Sequence, residues 1–424
     1  MAPSADTARP GTRATEPAWM GSLRAAAQGR FDAMAWPTTS DEEWRRTDVS
    51  RLELASFAPA PAPKGACPRE AETGAWAGVI RFEGTRCVEV GIGAAAAAKG
   101  VRLVPLDLAL DEFETPLHRG IGQAIERADN RFIAWHFAAL SHGAFLWVPA
   151  GVEIAEPFLV ELSEQGSRTA SAPHVEVILG DGARARVVHR LGGQTAGEVL
   201  CNAMVGIELG DAASLAYYQL QELNDTSLHV GHTRARVGRD ASLVHFEAQL
   251  GARFAKTRVE SDLAGTGADA ALNGVYYGRK GQHVDMRTVQ NHSSPKATSR
   301  AYYKGAVAGG GRTIFQGLIE VAPGAAGTDA FLTNRNLVLG DAARSDSIPT
   351  LRIGNNDVKC SHGSTTGRLN ADQLFYLESR GFAPVDAREM LVVGYFEDLL
   401  KPEVPESFRE DALTVIRGRL RGAA

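Results

Sequence analysis

Cys360-Ser361-His362 sets a thiol and an imidazole two residues apart, which puts both on one face wherever the backbone is extended. Thiolate sulfur and imidazole nitrogen are donors that iron, zinc and iron-sulfur species accept. A tetrahedral site needs four donors, and no second Cys/His pair stands nearby in the sequence. Two readings stay open. Either another chain supplies the missing donors at an interfacial metal site, or an ordinary buried cysteine neighbours a polar histidine.

Other candidate chemistry is weaker. Seven of the eleven histidines lie between His174 and His292, but His229 and His232 are three apart, so on a strand they face opposite sides. Gly91-Ile92-Gly93-Ala94-Ala95-Ala96 has the form of a dinucleotide fingerprint. Its context fails, because the next strand-like run, 101–104, arrives too soon for the helix that must carry a pyrophosphate. No G-x-x-x-x-G-K-[ST], G-x-S-x-G or H-E-x-x-H occurs, so no catalytic residues and no nucleotide site are expected.

The elements that must position Cys360 and His362 are legible as a repeat. An apolar-Gly-x-x-Ala unit recurs at Gly180, Gly210, Gly238 and Gly340, with a degraded copy at Gly265 and a glycine run at 309–311, giving a period near 28 to 30 residues. Between these turns the chain alternates with period two. Val199, Cys201, Ala203, Val205, Ile207 and Leu209 are apolar at odd positions, and Val244, Phe246, Ala248 and Leu250 alternate with His245, Glu247 and Gln249. Such a period holds the short strands and corners of one solenoid coil, with glycine at corners whose backbone angles exclude side chains. An antiparallel sandwich is the rival, but its turn signals recur every ~8–12 residues. Strand-like segments begin near 144–148 and 158–162. The expected class is mainly β, a β-solenoid core flanked by helical regions.

Residues 1–17 read as a flexible tail, 18–138 as a mixed, partly helical region, 139–366 as the β-helix core and 367–424 as a helical C-terminal region. Helix-compatible composition covers 19–34 and 117–137, and the alternating Ala/Pro run 58–63 reads as an extended linker. Near the C-terminus Asn370 caps one helix that Gly381 ends. Pro384 opens a second with Val392, Phe396, Leu399 and Leu400 on one face, which Pro402 ends. Phe408, Ala412, Val415 and Ile416 form the stripe of a third. These faces either pack on the solenoid or serve a partner.

Composition narrows the partners. Lys plus Arg total 45 against Asp plus Glu 50, a net charge of -5, so no broad positive field would hold nucleic acid. Four cysteines without a C-x-x-C pair fit a reducing cytoplasm. No run approaches ~18 apolar residues, and Asp6, Arg9, Pro10, Arg13 and Glu16 interrupt any export signal, so no membrane association is expected.

Asp357-Val358-Lys359-Cys360-Ser361-His362-Gly363-Ser364-Thr365-Thr366-Gly367, followed by Asp372-Gln373-Leu374-Phe375-Tyr376-Leu377-Glu378-Ser379-Arg380-Gly381, strongly resembles the SufB/SufD family of iron-sulfur cluster assembly proteins, and the SufD branch most. The resemblance extends to Tyr303-Lys304-Gly305, Phe315-Gln316-Gly317-Leu318-Ile319, 328–337 and Glu43-Trp44-Arg45-Arg46-Thr47. It implies a right-handed parallel β-helix and a scaffold role beside a SufB-like paralogue and the SufC-like ATPase, which would hold the ATP site. By the same resemblance, His362 corresponds to the histidine that faces a SufB cysteine at the subunit interface, with Cys360 beside it. Iron or a nascent cluster would be shared transiently there. Leu374, Phe375, Tyr376, Arg380, Gly381, Val392, Phe396 and Leu399 would form the ATPase-docking surface. A SufB-type scaffold carrying the cluster itself, a solenoid carbohydrate-active enzyme, and a homodimer of the isolated chain are the alternatives.

Overall fold

The computed structural model describes residues 16–61, 69–193, 197–401 and 403–421. The expected tail up to residue 15, the linker's Ala62 and Pro63, Cys67 and Pro402 lie outside the described residues.

Two parallel walls of strands run face to face, each coil of chain giving one strand to each wall. From Pro173–Leu179 to Arg344–Ile353 one wall is paired strand on strand, and from Phe158–Ser163 to Val358–Gly367 so is the other. This is a β-solenoid. Register is kept from coil to coil: Leu209, Val237, Leu263, His292, Val321 and Ile353 are successive partners in one ladder. Such stacking lets each coil bury its inward side chains on the next.

At Gly180, Gly210, Gly238 and Gly265 the repeated glycine marks a close approach rather than a left-handed turn, whereas Gly340 stands at φ +132° in open space. A Cβ on Gly265 would lie 2.0 Å from the Arg239 nitrogen, and one on Gly238 2.7 Å from the Leu209 oxygen. Left-handed geometry falls two residues later, at Gly182, Ala212, Asp240 and Gly267. At those four corners the left-handed angle falls to a different residue from the repeated glycine, since both positions belong to the same tight corner.

Strands from before residue 139 join both walls. Gly78–Glu83 lies parallel to Phe158–Ser163, with Arg86–Ile92 antiparallel at its other edge, and Arg102–Pro105 runs antiparallel to His142–Val148. The glycine fingerprint sits here with no ligand geometry. Gly91 ends under Ala71, whose oxygen a Cβ would meet at 2.3 Å, and the helix that follows, α2 (Ala94–Ala98), has five residues.

Helices cover both outer faces. On one wall lie α1 (Ala18–Ala33), α3 (Leu106–Glu112), α4 (Glu114–Glu126) and α5 (Arg131–Ala139), sharing a core with Ile178, Met204, Val230 and Phe254. The run 117–137 is two helices, since Asn130 accepts from the Phe132 and Ile133 N–H groups and starts α5 afresh. On the other wall, α7 (Pro384–Glu397) and α8 (Glu406–Arg421) pack Val392, Phe396, Phe408 and Ile416 on Tyr218, Phe246 and Val275. Between them and the rim is α6 (Ala371–Ser379), capped by Asn370 and closed by Gly381 at φ +95°, with none of its residues buried.

Candidate functional site

The strand Val358–Gly367 ends its wall. Its one neighbour, Thr328–Leu339, sets Cys360 opposite Ala330 and His362 opposite Leu332, both core residues facing the lumen between the walls. Cys360 and His362 therefore point inward at the last coil, where no further coil covers them. Cys360 is half-buried against the core and His362 is exposed. Partial burial pushes the Cys360 thiol up from its ordinary value, so it remains protonated near neutrality and yields a thiolate ligand when a metal displaces the proton.

The facing rim is Arg344–Ile353, the last strand of the other wall. Leu351 and Ile353 continue ladders that hold buried Ile319 and Val321 one coil below, yet they are 36% and 41% exposed. A hydrogen-bonded net joins the two rims. Ser364 Oγ donates to Ser347 Oγ (2.7 Å), and Ser347 Oγ to Asn334 Oδ1 (2.7 Å). Asn334 Nδ2 donates to the Tyr276 hydroxyl (2.9 Å), which donates to Asn336 Oδ1 (2.6 Å). The open end thus has fixed side chains, an apolar lip and two strand edges with unpaired backbone groups, features that favour strand addition.

Two donors do not make a closed site. Among the described residues no group of three or more His, Cys, Asp or Glu is placed to hold a metal. His229 and His232 do face opposite sides: His229 is fully buried, and His232 stands 3.7 Å from Glu260 on the outer face.

The residues read as a docking surface divide. Phe375 and Tyr376 on α6 are 72% and 55% exposed, Arg380 stacks its guanidinium 5.0 Å from the Tyr376 ring, and Leu374 is half-buried. Val392, Phe396 and Leu399 are buried on the wall, so within this chain their apolar face is already covered. Among the described residues the exposed large hydrophobics are Leu108, Phe331 on the outer side of the wall that Val358–Gly367 ends, Leu351 and Ile353 on the lip, and Phe375, Tyr376, Phe382, Val385 and Met390 at the start of the C-terminal region.

Sequence reasoning missed the polar contents of the lumen. His245, Glu247 and Gln249, read as the solvent side of an alternating strand, are all buried inside it, while Phe246, Ala248 and Leu250 lie under the C-terminal helices. It also missed what holds the Glu43-Trp44 segment. Burial raises the Glu43 carboxyl, but Lys256, Arg258 and Arg287, all within 4 Å, outweigh it and keep the group below its ordinary value. Trp44 is buried.

The family model "SUF system FeS cluster assembly, SufBD core domain" matches residues 161–395, a span with both rims, Cys360, His362 and α6. An iron-sulfur cluster assembly SufBD family protein of Mycobacterium tuberculosis is 33% identical over 288 residues, covering 65% of this chain and 71% of the relative. The iron-sulfur cluster assembly protein SufD of Escherichia coli is 32% identical over 282 residues, 65% of this chain and 66% of that protein. A SufBD family protein of Staphylococcus aureus is 25% identical over 329 residues, covering 77% and 70%. With more than half of its length matched by the core-domain model, this chain belongs to the SufB/SufD family of iron-sulfur cluster assembly proteins.

Proposed function

We propose that this chain is the SufD-type subunit of a cytoplasmic scaffold complex. Its open coil end pairs with a SufB-like paralogue, and iron or a nascent iron-sulfur cluster is held transiently between His362, Cys360 and donors from that partner. The cluster is cargo. The chain itself is not a catalyst, and ATP hydrolysis belongs to a SufC-like subunit docked through α6. The observation that carries this reading is the pair of inward donors on an uncapped rim, two ligands short of a site and set among an apolar lip and unpaired strand edges. The similarity to SufD of Escherichia coli supports the SufD assignment. No described helix is long and apolar enough to cross a membrane.

Co-expression with SufB-like and SufC-like subunits, followed by reconstitution with iron and sulfide, tests the proposal. His362→Ala is expected to leave the complex assembled while the visible cluster absorbance falls at least about tenfold, since loss of one metal-orienting group costs on the order of 10–100-fold. Full absorbance in that variant would remove His362 from the site. Loss of assembly with an unchanged fold would make it a packing residue.

A further inference from the structure

On the helix-covered wall, α4 and α5 stand off Pro173–Leu179, Val199–Leu209, Leu228–Val237 and Phe254–Leu263. The cleft left there encloses about 720 Å³, solvent at its mouth included. It lies outside the lumen and away from the rim that carries Cys360 and His362. Ile121, Phe137 and Met204 give it an apolar side.

Most charges in the cleft are matched within the chain. Arg258 pairs with Glu43, Asp129 and Glu260, His232 stands beside Glu260, and Arg127 lies 3.7 Å from Asp262. Glu208 and Arg234 also line it, and among the described residues neither makes a direct hydrogen bond or ion pair, although Glu260, Asp262 and Glu208 attract Arg234 from farther off. They are close neighbours on the wall, because Arg234 lies opposite Gly206, two residues before Glu208. On the other side of Gly206 is Glu176, nearly fully buried, in space that only a glycine leaves free: a Cβ at 206 would sit 2.0 Å from Glu176 Oε2.

The Glu176 carboxyl is held from behind by a chain whose protons are determined. The Asn202 carbonyl can only accept, so His136 Nδ1 donates to it (2.8 Å). Burial keeps His136 neutral, so its Nε2 accepts from His174 Nδ1 (3.0 Å). One proton must then lie between His174 Nε2 and Glu176 Oε2 (2.9 Å). Glu176 Oε1 has no protein donor among the described residues. Burial first, then Glu176, hold Glu208 up to about 7 against Arg236, Arg119 and Arg234.

We propose that this cleft binds a small zwitterion of the α-amino-acid type, its ammonium received by Glu208 and Glu176 Oε1, its carboxylate by Arg234, and its side chain laid on Ile121, Phe137 and Met204. A carboxyl and a guanidinium without a hydrogen-bonded partner, side by side against an apolar surface, suit that class. A simple cation would leave Arg234 without a direct partner, and a simple anion would leave the Glu208 and Glu176 Oε1 acceptors unused, whereas a zwitterion engages both.

Titration calorimetry on the full chain tests this with alanine, cysteine, leucine and methionine, each beside its methyl ester and its N-acetyl derivative. Saturable one-to-one binding is expected for at least one amino acid. It should weaken at least about tenfold on masking either end and in either Glu208→Gln or Arg234→Gln, each the loss of one charge-assisted bond. Thermal midpoints of both variants should stay close to the parent's, because neither side chain has a direct hydrogen-bond or ion-pair partner to lose, only longer-range attraction to charges such as Glu260, Asp262 and each other. The proposal is overturned if none of the four binds at about 10 mM, if an ester or N-acetyl derivative binds as well as its parent, or if both variants bind undiminished.

Discussion

Position 362 closes a ladder whose lower rungs are Val187, Tyr217, His245, Leu272, Ala301 and Leu332. An imidazole occurs twice in that column with opposite fates. At 362 it meets water on the rim, whereas at 245 it is sealed in the lumen, stacked 5.7 Å from Tyr217, and burial pushes it down to about 3. Burial likewise holds His189 at about 3 and His292 at about 4. These folded values lie below the unfolded value of 6.5, so the unfolded chain binds more protons as pH falls below 6.5, and stability is lost down to the folded values. Glu164 and Glu247, raised by burial to about 7, act in the opposite sense between 4.5 and 7 and blunt the loss there. Stability should therefore fall most steeply below about pH 4.5. His245→Leu should flatten that limb by up to about 1.4 kcal/mol per pH unit. Urea midpoints from pH 3.5 to 7 decide it, and curves parallel to the parent's would show that His245 titrates normally.

Among the elements, the coil period was legible, because each coil repeats one close approach and a glycine must recur there: Gly210 and Gly238 are both pinned by the coil below. Side was harder to read. Alternation in 242–249 says which residues share a face, but whether that face is wet depends on α7 and α8, well over a hundred residues later. The C-terminal helices carry the same ambiguity, since the spacing of Val392, Phe396 and Leu399 serves an internal wall as well as a foreign one. In the structure Val392, Phe396 and Leu399 lie on the internal wall while Phe375 and Tyr376 are exposed, and mutation should distinguish the two sets. Phe396→Ala is expected to cost about 3–5 kcal/mol of stability, as a fully buried aromatic does. Phe375→Asp with Tyr376→Asp should change stability by less than about 1 kcal/mol, yet abolish co-purification with a SufC-like subunit. Retained binding in the double variant would move the docking surface off α6.

At the scale of the whole molecule, one end of the stack is closed by antiparallel strands and the other is left open, and the chain's inward donors are at the open end. The donor spacing at 360 and 362 was legible in the sequence. Its place on an uncovered rim was not, because that depends on where the coils stop. α6 follows directly on the rim strand, from Gly367 to Ala371, so force applied at Phe375 and Tyr376 has a short route to His362. If ATP-driven closure of docked SufC-like subunits moves α6, the rim should shift against the partner's rim, and coupling requires contacts that differ between the two nucleotide states. His362→Cys provides the gauge. In the assembled complex, the yield of a short bifunctional thiol crosslink from that position to the SufB-like subunit should change at least about threefold between the nucleotide-free and ATP-bound states. Native Cys360 alone should follow in the same direction but less, being half-buried. Equal yields in both states, with SufC-like binding intact, would mean that the rim is a static scaffold and that ATP acts elsewhere in the complex.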